Sequence, residues 1–261
     1  MDRSFLSNEQ LIKVSRDFVC IRTATYEDKQ EVEFLKWAFL RSAESDLRNF
    51  SFCILSPDGR IKLRRSFRGP NFVYANSEAM VADLRLIARQ YPEKPTARDA
   101  KPTVPQMKSV HLGINVASCD GLPSVVVVGK DQQEVDWLNE KLSGVIWDEE
   151  LAGRFIYAST TNPDDLKIVS GAKGKTGVLV IEPDTYGMQG RLLETIAPNI
   201  SSVDLKQRLS HASNTFTRNP KRHGLHVRNG RRSGKRWQTE VTVPDRVRSR
   251  NRGAQGRRRI Q

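Results

Sequence analysis

The chain has 261 residues, 38% of them hydrophobic, with a net charge of +13 and only three cysteines. That length leaves room for two domains, each able to bury its own core. No apolar run approaches the ~20 residues of a membrane-spanning helix, and the first residues lack the apolar stretch of a signal peptide.

Near the start, Ser7-Asn8-Glu9-Gln10 has the spacing of a capping box and opens a short helix carrying Leu11, Ile12 and Val14. Apolar residues over 18–23 predict a strand, and Val32, Leu35, Ala38 and Phe39 predict a helix over residues 27–41. A strand over 50–55, a Pro57-Asp58-Gly59 turn and a partner strand over 61–67 form an expected hairpin. Met80, Leu84 and Ile87 mark one face of a helix over residues 77–90. Pro92, Pro95, Pro102 and Pro105 then predict a linker over 92–107.

The next part opens on Ser124-Val125-Val126-Val127-Val128, a strand of the buried type, then a helix from Asp131 carrying Val135, Leu138 and Leu142. A strand at Phe155, a short helix over 164–169, a strand at Val178, its hairpin partner over 192–196 and a helix over 201–211 follow. That order, βαβαββα, predicts a four-stranded mixed sheet covered by helices.

Two segments recur in one order. Arg16-Asp17-Phe18-Val19-Cys20-Ile21-Arg22-Thr23-Ala24-Thr25-Tyr26-Glu27-Asp28 corresponds to Gly153-Arg154-Phe155-Ile156-Tyr157-Ala158-Ser159-Thr160-Thr161-Asn162-Pro163-Asp164-Asp165. Phe52-Cys53-Ile54-Leu55-Ser56-Pro57-Asp58 corresponds to Val178-Leu179-Val180-Ile181-Glu182-Pro183-Asp184. Paired matches in a single order imply one supersecondary unit used twice.

The element order resembles the thioredoxin fold. The opening Met1-Asp2-Arg3-Ser4-Phe5, the helix and Phe18-Val19-Cys20-Ile21 resemble the stretch that follows a Cys-x-x-Cys in thioredoxin-like proteins. The resemblance covers about residues 1–211. It implies an α/β body of two tandem thioredoxin-like mixed-sheet units, to which the composition beyond it adds a basic, partly disordered C-terminal tail. The expected division is an incomplete unit over 1–91, the linker over 92–107, a second unit over 108–213 and the tail over 214–261. The first unit lacks the first, central strand, so its sheet is expected to carry an unpaired edge.

Dithiol chemistry needs a thiolate at a helix N-terminus and a second thiol near it. In the second unit that place is residues 129–133, which hold no cysteine. The resemblance also implies a cis-proline before the third strand, where this chain has Asn49 and Ser51 in one copy and Thr176 and Gly177 in the other. The expectation is a non-catalytic protein-binding module with an unidentified protein partner and neither cofactor nor metal. The alternative is a thiol–disulfide oxidoreductase family member whose dithiol lies upstream of Met1. Cys20 and Cys53 are expected as small core residues. Cys119, placed in a turn before a strand, is the candidate exposed, reactive thiol. Three scattered thiols fit a reducing compartment, hence the cytoplasm if Met1 is the true start.

Other patterns carry less. Gly171-Ala172-Lys173-Gly174-Lys175-Thr176 lacks the first glycine of a phosphate loop and precedes a strand instead of a helix. His211, His223 and His226 have no acid or cysteine spaced to complete a metal site. Asp58 and Asp184 are explained by their Pro-Asp turns.

The charge is concentrated at one end. Residues 214–261 hold 15 Lys/Arg against 2 Asp/Glu, so they carry the whole net charge of +13 and the rest is balanced. Arg231, Arg232, Lys235, Arg236, Trp237, Arg257, Arg258 and Arg259 are the candidate contacts for nucleic acid or another polyanion. Arginine forks match phosphates, and Trp237 could stack on a base. The competing expectations are a solvated tail with no dedicated partner and a tail packed on the body.

Overall fold

The structure is a computed structural model that describes residues 5, 7–21, 27–40, 52–67, 69–92, 102–218 and 221–237. It is a mixed α/β protein in two compact units, within Met1–Pro95 and within Thr96–Trp237.

In the first unit, helix α1 (Glu9–Ser15) is capped by Asn8, whose side chain accepts from the Leu11 N–H at 3.0 Å. The cap therefore falls one residue later than the expected capping box at Ser7. Helix α2 (Lys29–Phe39) starts at Asp28 and buries Val32, Leu35 and Ala38. Helix α3 (Ser77–Gln90) has the expected bounds and buries Met80, Val81, Leu84 and Ile87. These α3 residues pack with Phe5, Leu11, Val14 and Ile54 into one core.

The expected hairpin is present as two antiparallel bridges, Phe52 to Phe67 and Leu55 to Lys62. Its Pro-Asp-Gly turn is closed by Asp58, which accepts from the Arg60 N–H at 3.1 Å and from the Ser56 hydroxyl at 2.5 Å. The strand expected over 18–23 is not found in its described part. Residues 18–21 form a bend followed by residues without regular structure, with Val19 88% exposed. An apolar, β-branched tetrapeptide makes a strand only where a neighbouring strand pairs with it, and among the described residues none does. Cys20 is accordingly exposed rather than in the core, and Cys53 is half-buried. Burial pushes the Cys53 thiol up, with nearby Lys62 opposing.

The second unit is built on a six-stranded sheet in the order β1-β3-β2-β5-β6-β4. Its strands are β1 (Gln106–Met107), β2 (Ser124–Val128), β3 (Ile156–Thr160), β4 (Val169–Ser170), β5 (Gly177–Pro183) and β6 (Gly190–Ile196). β2 runs parallel to β3 and antiparallel to β5, and β5 and β6 form an antiparallel hairpin. The last residues of the expected linker thus join the sheet: Val104 is buried, and β1 pairs in parallel with β3.

Every residue of β2 is buried, as its unbroken valine run requires of a strand covered on both faces. The strand period of two sends Val125 and Val127 to one side and Val126 and Val128 to the other. The first pair meets Val135, Leu138 and Leu142 of α5 (Gln132–Ser143) and Leu205 and Leu209 of α6 (Ser202–Thr215). The second pair meets Val110 and Ile114 of α4 (Val110–Asp120) and Leu166 of a 3-10 helix (Pro163–Ile168). The layers are therefore helix, sheet, helix.

The β5–β6 hairpin depends on glycine at both ends. Gly177 has φ +103°, and a Cβ there would meet the Ile196 carbonyl oxygen. A Cβ on Gly190 would strike Ile181.

Candidate functional site

Two places in the second unit bear on function: the N-terminus of α5 and the outer side of α4.

At the first, the chain leaves β2 at Gly129, whose N–H donates to the Thr160 carbonyl of β3 at 3.2 Å. Asp131 caps α5 by accepting from the Glu134 N–H at 2.9 Å, and Glu134 reaches back to accept from the Lys130 N–H at 2.8 Å. Two carboxylates thus occupy the positive end of the helix dipole, where a thiolate would otherwise be stabilised. Position 129 has no room for a side chain, since a Cβ would lie 2.8 Å from a Val135 methyl. Beside it, the Thr160 hydroxyl donates to Asp165 at 2.6 Å and accepts from the Asn162 N–H at 2.9 Å, which fixes the start of the 3-10 helix. Among the described residues no peptide bond is cis, including the one that enters β5 at Gly177.

The second place is an assembly of three segments. Helix α4 starts at Ser109, which accepts from the Leu112 N–H at 3.1 Å, and ends at Gly121 in the left-handed conformation. Cys119, expected in a turn, lies on this helix and is exposed. The turn between β5 and β6 leans on α4: a Cβ on Gly187 (φ +66°) would lie 2.6 Å from the Asn115 Cα. Asp184 holds that turn by accepting from the Met188 N–H at 2.8 Å, the turn-closing role expected of it.

The third segment comes from the tail. Residues 221–237 run back along α4. At its C-terminus Lys221 Nζ donates to the Ser118 carbonyl at 2.6 Å and to the Ser118 hydroxyl at 2.8 Å. The Ser118 hydroxyl donates onward to the Asp184 carbonyl at 2.8 Å. The ammonium thus neutralises the negative end of the α4 dipole and adds a short contact to a carbonyl that otherwise accepts, among the described residues, only the Gly121 N–H at 3.4 Å. Burial lowers Lys221 below the usual lysine range, opposed by Cys119 and Asp184 and aided by Arg218. Ser118, Asp184, Phe216 and Lys221 line a crevice of about 20 Å³, which has room for about one water and no larger ligand.

Helix α7 (His223–Arg232) then lies against the β5–β6 turn. His226 stacks on Tyr186 with ring centroids 4.6 Å apart, and Gly230 is buried against the same ring. Trp237 meets His111 at the N-terminal end of α4, with centroids 4.5 Å apart. The segment is therefore packed on the second unit as far as Trp237. That is the packed-tail expectation; a solvated tail beginning at residue 214 is corrected over these residues. Residues 219–220 and 238–261 of the expected tail lie outside the described residues. Trp237, expected to stack on a base, has a ring partner within the protein.

The other basic side chains of the segment point outward. Arg222, Arg228, Arg231, Arg232, Lys235 and Arg236 are exposed, and none has a carboxylate partner among the described residues. Arg228 and Arg232 are one helical turn apart, on the face opposite His226 and Gly230. Arg257, Arg258 and Arg259 lie outside the described residues. His211 is exposed on α6, away from any group of metal-ligating side chains among the described residues. The glycine–lysine turn over 171–176 has Gly171 and Gly174 at positive φ and leads directly into β5, so it offers no helix N-terminus to a phosphate.

No family model, curated protein or solved structure matches this chain.

Proposed function

We propose that the chain is a thioredoxin-like binding module that does not turn over dithiols. The observation that carries this reading is the self-capped start of α5, where Asp131 takes the Glu134 N–H a thiolate would use, the Glu134 carboxylate lies beside it on the Lys130 N–H, and a Cβ at Gly129 would clash with Val135. The order β3-β2-β5-β6, a parallel pair continued by an antiparallel hairpin, supports the thioredoxin resemblance of the second unit. Tandem use of that unit is supported by its second half alone, where both copies carry a hairpin and a Pro-Asp turn closed by the aspartate. Two indoles of the second unit, Trp137 and Trp147, are 47% and 49% exposed, and a protein partner would cover such surface.

The test is reduction of insulin disulfides with a thioredoxin reductase and NADPH. The reading predicts a rate no higher than that of an equimolar free thiol. Turnover that disappears in Cys119→Ser would contradict it.

A further inference from the structure

We propose that the outward face of α7 and the residues that follow it, to Arg236, bind double-stranded nucleic acid through its phosphate backbone. This does not rest on the absence of dithiol chemistry, because the surface lies on α7 and the candidate thiol position at the start of α5.

Charge is the first ground. Between residues 216 and 237 there are 8 Lys/Arg and no Asp/Glu, and six of the eight are arginine. Arg222, Arg228, Arg231, Arg232, Lys235 and Arg236 are exposed and lack carboxylate partners among the described residues. A guanidinium fork matches two phosphate oxygens at once. The ten residues of α7 span ~15 Å, and duplex DNA offers one phosphate charge for every ~1.7 Å of its axis.

Preorganisation is the second. The inner face of α7 is held by Tyr186, the segment before it by the Lys221–Ser118 contact and the segment after it by Trp237 on His111. The arginines are thus presented from a fixed helix, and less ordering cost falls on binding.

The third ground separates the duplex from other polyanions. A single strand is gripped by bases stacking on protein rings. Here Trp237 is against His111, and Tyr186 is covered by His226 and Gly230. A membrane-surface helix turns its apolar stripe to the lipid, but α7 turns Gly230 and His226 inward and exposes Leu225 among arginines. The surface left is a set of phosphate contacts that carries no base readout.

The experiment is fluorescence anisotropy with the full chain and a labelled 20-base-pair DNA duplex over 50–200 mM salt. The same measurement is made with one strand of that duplex, a polyglutamate peptide and vesicles containing phosphatidylserine. The expected result is duplex binding unchanged within about twofold when the sequence is scrambled, with a log–log salt slope of about −4 to −5. In Arg228→Gln/Arg231→Gln/Arg232→Gln the slope shrinks by about 2–3 and affinity falls at least about tenfold, while the thermal midpoint stays put. A triple variant that binds as the parent does would overturn the proposal. So would single-strand binding tighter than duplex binding, or capture of polyglutamate or vesicles with no binding of duplex.

Discussion

Tyr186 and His226 stack with their ring planes 20° apart, and this contact joins the β5–β6 turn to the arginine-rich helix α7. The two residues are far apart in sequence, and their partner Gly230 is buried. A Cβ at 230 would sit 2.9 Å from the Tyr186 ring. Gly230→Leu should therefore lift α7 from the turn while leaving the sheet intact. Trypsin should cut after Arg228, Arg231 or Arg232 at least about tenfold faster in the variant, corresponding to a local loss of about 1.4 kcal/mol or more. Unchanged cleavage would mean that α7 is not held through Gly230.

The sheet core can be probed from both kinds of contact. Leu138 and Leu205 are fully buried on the α5–α6 side of the sheet. Leu138→Ala and Leu205→Ala should each cost about 2–5 kcal/mol in urea unfolding. Tyr157 lies in the same layer, and its hydroxyl has no hydrogen-bond partner among the described residues. Burial of that phenol pushes its pKa up. Tyr157→Phe should be neutral or raise stability by up to about 1 kcal/mol, because it removes a desolvated polar atom. A loss of more than about 1 kcal/mol would reveal a partner for the hydroxyl.

The first unit contains an acid-sensitive contact. Arg64 donates to Asp83 through Nε at 2.7 Å, and the Tyr74 hydroxyl donates to the same carboxylate at 2.6 Å. The Arg64 hydrogen bond holds Asp83 below the usual carboxylate range, with burial opposing and Tyr74 assisting. A carboxylate depressed in the folded state adds stability that is fully present above its unfolded value of ~3.9 and is lost as pH falls through the folded value. The first unit should therefore lose stability below about pH 4, and Arg64→Met should flatten that loss. At neutral pH the variant should cost roughly 1–2 kcal/mol, reduced by the partial exposure of the guanidinium. An unaltered acid profile in Arg64→Met would remove Asp83 from the account.

Strand content gives a further contrast. Amide exchange should be fast across residues 18–21 and slow across β3, where Ile156 to Thr160 pair with β2. Equal protection would require a pairing partner for residues 18–21.

Local signals explain which elements were legible in the sequence. The valine run of β2, the Asp131 start of α5 and the apolar spacing of α2 and α3 each determine structure within a few residues, and the elements formed there. Helix α4 was missed because Gly113, Ala117 and Ser118 blur its apolar stripe and it is buried on more than one side. Its Ser109 cap and the Gly121 stop were the signals that could have found it. Residues 18–21 show the reverse error, in which β propensity without a pairing neighbour suggested a strand. The docked tail was illegible for another reason. Gly224, Gly230 and two histidines make α7 a poor helix by propensity, and it is held by contacts to Ser118, Tyr186 and His111 far away in the sequence.

Fixation of α7 to the second unit is what presents its arginines, and hydrogen exchange of its own amides tests that most directly. In the full chain at neutral pH, the amides over residues 226–232 should exchange at least about tenfold more slowly than in a peptide of residues 221–237, which lacks the surface it docks on. Equal rates in chain and peptide would contradict it, leaving the arginines on an unanchored segment and the Tyr186 and Ser118 contacts without consequence.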